Sequence, residues 1–287
     1  MNSSYFPSSA LLILLLCLTW TEKKTEAAET VKAMTFNIRY ASAFGANSWP
    51  KRQAGVVQVI REQKPDIIGT QEGLHPQLLY MDKELTEYKW IGVGREGGNR
   101  GEFMAIFYRS DRLKPLEEKH FWLSDTPKVV GSASWGNTVK RMVTWARFLD
   151  RKTHKEFYFW NTHFDHRSQP SREKSALLIN KRVAALQTKL PVILVGDFNA
   201  IAQSNKAYHT LTKDGGFQDS FTTAQEKVNA GWNTFNSFQK TKQSKRRIDW
   251  VLTKGPLKVT RAEIVLFNKF KQLPSDHQPV TAWLQLE

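Results

Sequence analysis

Short apolar runs rich in β-branched and aromatic residues recur along the chain, and most of them stop at a polar side chain. They read as strands: VKAMTFNI (31–38), DIIG (66–69), MAIFY (104–108), MVTWARFL (142–149), EFYFWNTHF (156–164), PVILVGD (191–197), IDWVL (248–252), AEIVLF (262–267) and PVTAWLQL (279–286). Three segments carry apolar residues at helical spacing instead. Residues 51–64 place Ala54, Val57 and Ile60, with Arg61, near one face between Pro50 and Pro65; 76–87 follow Pro76 with Leu78, Leu79, Asp82 and Leu85; 171–188 open at Ser171 and repeat Ala176, Ile179, Val183 and Leu186. One open sheet of nine strands would strain to stay flat. The pattern therefore predicts an α/β fold in which two mixed β-sheets pack face to face as a sandwich, with helices on the outer faces. No repeat, low-complexity tract or Pro/Gly/Ser linker interrupts it, so one domain over 29–287 is expected.

The first 28 residues read differently. ALLILLLCLTW (10–20) is too short for an ordinary membrane span, and the polar TEKKTEAAE follows it. This is the pattern of a signal peptide cleaved near Ala27 or Ala28, and it predicts export to the periplasm or medium, although no Lys or Arg precedes the apolar stretch; an uncleaved anchor is the lesser alternative. Cys17 is the only cysteine, so a mature chain has no disulfide, no thiolate nucleophile and no thiolate metal site. With 40% hydrophobic residues the core alone can hold the fold. The net charge of +15 lies in the mature part, since Glu22, Lys23, Lys24 and Glu26 cancel; such a surface draws polyanions.

The chemistry collects where apolar runs end. Asn37 closes the first and Glu72 follows the second; Asn161, His163 and Asp165 share one face of the fifth by alternation, with His166 just beyond. Asp197 and Asn199 leave the sixth on the same face, Asp249 opens the seventh, and Asp276 and His277 precede the last. Singly, each is a turn former or a cap. Together they form a rim of carboxylates, amides and three histidines. Oxygen donors of this kind suit Mg²⁺, Mn²⁺ or Ca²⁺; zinc is the weaker fit, because the histidines lack its spacing and cysteine is missing.

The ordered set TFNIRY, IIGTQEG, NTHFDH, VGDFNA, IDWV and SDH resembles the endonuclease/exonuclease/phosphatase superfamily, with its four-layer DNase I-like fold, and spans nearly the whole mature chain. GREGGNRGEFMAIFYR and FWLSDTP are similar to exported bacterial single-domain members. The resemblance implies a phosphoester hydrolase with Mg²⁺ as cofactor and Mn²⁺ as an alternative. It makes Glu72 the main metal ligand, with Asn37 beside it and Asp276 as a further or water-mediated one. Asp197 and Asn199 would handle the attacking water and the phosphate oxygens, and Asp249 would orient His277. His163 would be an acid or phosphate contact; its place is tyrosine in some relatives, which weakens an abasic-site repair role. Whether Asp197 or His277 is the general base stays open at this point. Asp165 and His166 are expected to line the site, Arg95, Arg141 and Arg172 to contact phosphate, and Glu102 to touch the site.

The loop SFQKTKQSKRRID (237–249) gathers Lys240, Lys242, Lys245, Arg246 and Arg247, with Trp232, Phe235 and Phe238 upstream. Positive charge among aromatics suits single-stranded nucleic acid, so a nuclease is the first expectation. A phosphatase or phosphodiesterase for small or lipid phosphoesters, such as inositol phosphates or sphingomyelin, is the alternative, and a non-catalytic binding protein the third. GREGGNRG (94–101) matches no nucleotide-cradling glycine loop. No stable protein partner is implied, and a monomer is expected.

Overall fold

The structure, a computed structural model, describes residues 29–287 together with 1, 2 and 4. The expected signal segment lies outside the described residues. Among the described residues, no helix is long and apolar enough to cross a membrane.

Eleven strands of four residues or more build two sheets: β1 Val31–Asn37, β2 Ile67–Gln71, β3 Tyr88–Ile91, β4 Ile106–Arg109, β5 Leu113–Trp122, β6 Met142–Asp150, β7 Glu156–His163, β8 Val192–Asp197, β9 Asp249–Lys254, β10 Leu257–Ile264 and β11 Val280–Leu286. The first sheet runs Glu226–Val228, β10, β11, β1, β2, β4, β3; the second runs Gln218–Asp219, β9, β8, β7, β6, β5. Both mix parallel and antiparallel pairs, as the alternation of runs and helical segments predicts.

The runs are nearly continuous in apolar residues because both faces of each sheet are covered. Between the sheets lie Val31, Ala33, Ile67, Phe148, Phe157, Ile193, Val195 and Val251. Helices α1 (Trp49–Gln63) and α2 (His75–Glu84) cover the outer face of the first sheet; α3 (Gln169–Ala184) covers the outer face of the second. The result is four layers, as expected. Pro50 and Pro170 sit inside the first turns of their helices, where a missing N–H costs nothing, so both helices begin earlier than the residue following the proline. The strand β5 was not expected: it is an edge strand whose outward residues are charged and whose pairing is broken by a bulge between Pro115 and Glu117. The run expected at 262–267 is the tail of β10, which starts at Leu257.

The sheets approach closely at one point. A side chain on Gly69 would meet Val195 Cγ2 at 2.4 Å and Asn161 Cγ at 2.7 Å. Here Asn161 Nδ2 donates to the carbonyls of Thr70 and Ala105, both at 2.8 Å, and Gln71 Nε2 donates to Asn161 Oδ1 at 2.7 Å. Asn161 is therefore a stitch between the sheets and leaves the rim to its neighbours.

Candidate active site

Strand register places the first row of the site. Asp197, the last residue of β8, pairs with His163 at the end of β7 on one side and with Asp249 at the start of β9 on the other. Across the sandwich, Asn37 pairs with Gln71, and Glu72 follows in the left-handed region at φ 64°. Two further residues of the rim, Arg39 (φ 62°) and Asn199 (φ 47°), adopt the same conformation, which side-chain-bearing residues rarely adopt. Asn199 thus does not continue a strand alternation, because β8 stops two residues earlier. It reaches the cleft through its bend instead.

Asn37 Nδ2 donates to Glu72 Oε1 and to Asp197 Oδ2, each at 3.0 Å, and so ties the two sheets' carboxylates together. Glu72 Oε2 also accepts from the Tyr40 amide at 2.9 Å. Burial pushes the Glu72 carboxyl up, but the Asn37 amide, the charge of His277 and the Tyr40 N–H hold it below the usual range. Asp197 Oδ1 accepts from the Asn199 amide at 2.9 Å, while Oδ2 lies 3.4 Å from His163 Nε2 and 3.7 Å from His277 Nε2. Burial raises Asp197 to about 7 against the pull of His277, and the nearby charge of Asp249 adds to the rise.

His277 Nδ1 faces both Asp249 oxygens, at 3.2 and 3.0 Å. Burial works against its charge, yet Asp249 and Asp197 raise it to about 10, which favours the charged ring, and its Nε2 faces Asp197. His163 goes the other way. Full enclosure, with Arg141 and His277 nearby, pushes it well below its ordinary value, and its Nε2 receives the Asn199 amide at 3.0 Å.

These groups wall a cavity of about 410 Å³, with Arg39, Tyr40, Arg95, Glu102, Arg141, His166 and Phe235 completing most of it. Of the residues expected at the site, Glu72, Arg95, Glu102, Arg141, His163, His166, Asp197, Asn199 and His277 line this cavity. Asn37 and Asp249 stand behind it as partners of the lining groups. Asp276 stands beside it, with Oδ2 3.6 Å from Arg39 Nε. Asp165 is turned to structure: its Oδ1 accepts from the Arg167 and Ser168 amides at the start of α3, and Oδ2 lies 3.5 Å from Arg141 Nε. Arg172 is outside the cavity, donating to the Asp165 carbonyl at 2.8 Å. In the basic loop, Arg247 is buried against Asp219 at 2.5 Å, whereas Lys240, Lys242, Lys245 and Arg246 are exposed.

Arg39, Tyr40 and Arg52 were not singled out from sequence, and Phe235 only as an aromatic upstream of the basic loop. Arg39 and Tyr40 sit inside TFNIRY, directly after Asn37. Arg52 is fully buried and grips the carbonyls of Ile38, Arg39, Tyr40 and Pro274, which fixes the loop that carries Arg39. Its signal was its place four residues before Val56 on the buried face of α1.

A cation fits here. One donor atom each from Glu72, Asp197 and His277 lie within 4.8 Å of one another. His277 Nδ1 is taken by Asp249, and a hard cation prefers oxygen to the remaining ring nitrogen, so Glu72 is the foremost donor of the three. Arg39 points its positive charge at Glu72 (3.5 Å) and Asp276 (3.6 Å), marking the place where these carboxylates call for one. On the other wall, Arg141 is 4% exposed, and its Nη1 has no hydrogen-bond partner among the described residues. Arg95 pairs with Glu102 at 2.5 Å, and burial still raises Glu102 to about 6.

A sequence profile of the endonuclease/exonuclease/phosphatase family matches residues 34–277. A family member of known structure from Bacteroides vulgatus is 36% identical, with a TM-score of 0.84 over 90% of this chain and 99% of its own. Another, from Bacteroides thetaiotaomicron, is 32% identical with a TM-score of 0.84 over 91% and 99%. A mannosyl-6-phosphatase from Bacteroides thetaiotaomicron VPI-5482 is similar at 32% identity and a TM-score of 0.83, over 88% and 99%.

Proposed function

The chain belongs to the endonuclease/exonuclease/phosphatase family of phosphoester hydrolases, and we propose that it removes a terminal phosphate from a small polar molecule, a phosphorylated sugar before any polymer, with Mg²⁺ as cofactor or Mn²⁺ in its place. The observation that carries this reading is Arg141. Buried Arg141 lines the cavity together with Arg39 and Arg95, and such a wall of guanidinium groups suits an anion with several free oxygens. A terminal phosphate offers more of these than a diester does. The likeness to a mannosyl-6-phosphatase supports the same choice.

Glu72, with Asn37 and Asp276, would hold the cation, which when bound offsets charge on the non-bridging oxygens. The chain's own groups do the rest. Asp197, held by the Asn37 side chain and the Asn199 amide, takes the proton of the attacking water. His277, fixed by Asp249, donates from Nε2 to a phosphate oxygen; its charge suits it for bracing rather than for proton removal. Neutral His163 keeps the Asn199 side chain in place. Arg141 and Arg95 receive the remaining oxygens. Read with the signal-like segment, this is an exported monomer.

The nuclease reading keeps one observation in its favour, the exposed Lys240, Lys242, Lys245 and Arg246 beside the site. One panel separates the two: mannose 6-phosphate, p-nitrophenyl phosphate, bis-p-nitrophenyl phosphate, inositol phosphates, sphingomyelin, and single- and double-stranded nucleic acid, each with Mg²⁺, Mn²⁺ or chelator. Chelator-sensitive turnover of the monoesters above all others is expected. Faster cleavage of nucleic acid than of any monoester would replace the proposal with the nuclease.

A further inference from the structure

A second cavity, of about 480 Å³, adjoins the first, and the two share Asn199 and Phe235. Its charged lining consists of Arg172 and Arg246, with no carboxylate. Arg172 is anchored through the Asp165 carbonyl and Gln169, whereas the exposed Arg246 side chain makes no hydrogen bond or ion pair among the described residues. Ala200, Ile201 and Ile248 give it an apolar wall. At the junction stands Phe235, 44% exposed in a chain whose aromatic rings are mostly buried, its ring 5.0 Å from that of His277. Asn233 holds the Arg246 backbone through Oδ1 at 3.0 Å, which fixes where that arginine leaves the loop.

An exposed ring face next to the reacting groups is a platform for another ring. Two guanidinium groups in a lining that holds no carboxylate favour negative charge, with Asp165 and Glu173 near Arg172 but outside the lining. We propose that the leaving group is a ring that carries a second anionic group, phosphate or carboxylate, seated on Phe235 and held by Arg246 and Arg172. This rests on the monoesterase reading above and narrows its substrate class. The alternative occupant, the next nucleotide of a strand, belongs to the nuclease reading and is an outcome of the test.

The test is selectivity in the full chain, measured as kcat/KM for two matched pairs: glucose 1,6-bisphosphate against glucose 6-phosphate, and glucuronic acid 1-phosphate against glucose 1-phosphate. A charge-assisted hydrogen bond predicts a preference of about tenfold for the doubly anionic member of at least one pair, carried by KM. The pair that shows it tells phosphate from carboxylate. In Arg246→Ala that ratio falls to about one, and in Arg246→Glu below one. Because the Arg246 side chain is exposed and unpaired, neither variant has a reason to misfold, and the thermal midpoint confirms this. Turnover of all four sugars with ratios near one, or a ratio that Arg246→Ala leaves intact, overturns this inference and spares the monoesterase. No turnover of any of the four, with cleavage of a dinucleotide, overturns both.

Discussion

The two ends of the sandwich each hold a buried cluster of charge that spans both sheets, and they are built to opposite rules. At the end away from the site, Asp66 precedes β2, Asp150 closes β6, and Arg112 joins them: Nη1 donates to Asp66 at 2.9 Å, and Nη2 and Nε donate to Asp150 at 3.2 and 3.3 Å. Both carboxylates take further hydrogen bonds. Asp66 also accepts from the Lys32 amide, and Asp150 from the Lys152 amide and the Thr153 hydroxyl. At the rim, Arg141 Nη1 and His163 Nδ1 have no partner among the described residues, Asp197 is raised to about 7, and three residues sit at positive φ. A closed cluster braces the fold; an open one leaves bonding capacity for a ligand. The difference between them is satisfaction, not burial.

Removing the brace should produce the largest effect. Arg112→Met leaves two buried carboxylates unpaired and is expected to cost about 4 kcal/mol in denaturant unfolding, with kcat per folded molecule unchanged. Asp197→Ala is the mirror image: a loss of about 10²-fold in kcat, about 2.7 kcal/mol, with a thermal midpoint that holds or rises, since a costly buried carboxylate is gone. If Asp197→Ala unfolded the protein instead, the rim would be a second brace, and the contrast would fail. Third, Arg141→Met should lower kcat/KM for a phosphomonoester about tenfold, mostly through KM, and weaken inhibition by inorganic phosphate, with a smaller loss of stability than Arg112→Met because Asp165 keeps the Arg167 and Ser168 amides.

The rim was legible in the sequence because each of its groups interrupts or ends an apolar run, and such interruptions need a partner. Order and spacing did the rest for Asn37, Glu72, His163, Asp197, Asp249 and His277. The brace was not legible. Asp66 and Asp150 also flank strands, but nothing along the chain says that antiparallel β6 returns its end to the start of β2, or that Arg112 falls between them. Alternation misled twice: Asn161 shares a face with His163 yet is consumed between the sheets, where Gly69 leaves room, and Asn199 reaches the cleft only because its backbone leaves the strand. Arg247 shows a third limit. A basic run looks uniform in sequence, but one of its members is fixed to Asp219 inside the fold while Arg246 next to it is free to bind.

The smallest effect sharpens the contrast within the brace itself. Its two carboxylates titrate in opposite directions from the ordinary value of 3.8. Burial raises Asp66 despite Arg112; at Asp150 burial is outweighed by the hydrogen bonds of Arg112, Lys152 and Thr153, which lower it. A depressed carboxyl contributes stability above its unfolded value that is lost as pH falls through the folded one; a raised carboxyl costs stability above its folded value, and that cost is relieved as pH falls. Acidification should therefore relieve the Asp66 cost above the ordinary value of 3.8 and then remove the Asp150 contribution below it, by less than any of the three effects above. Denaturant midpoints taken between pH 6 and 3 check this. Asp150→Asn should flatten the loss at the acid end, and Asp66→Asn should make the decline steeper by removing the relief that precedes it. If both variants shifted the curve alike, the two carboxylates would be equivalent, and the brace would owe its stability to charge pairing alone rather than to the extra hydrogen bonds at Asp150.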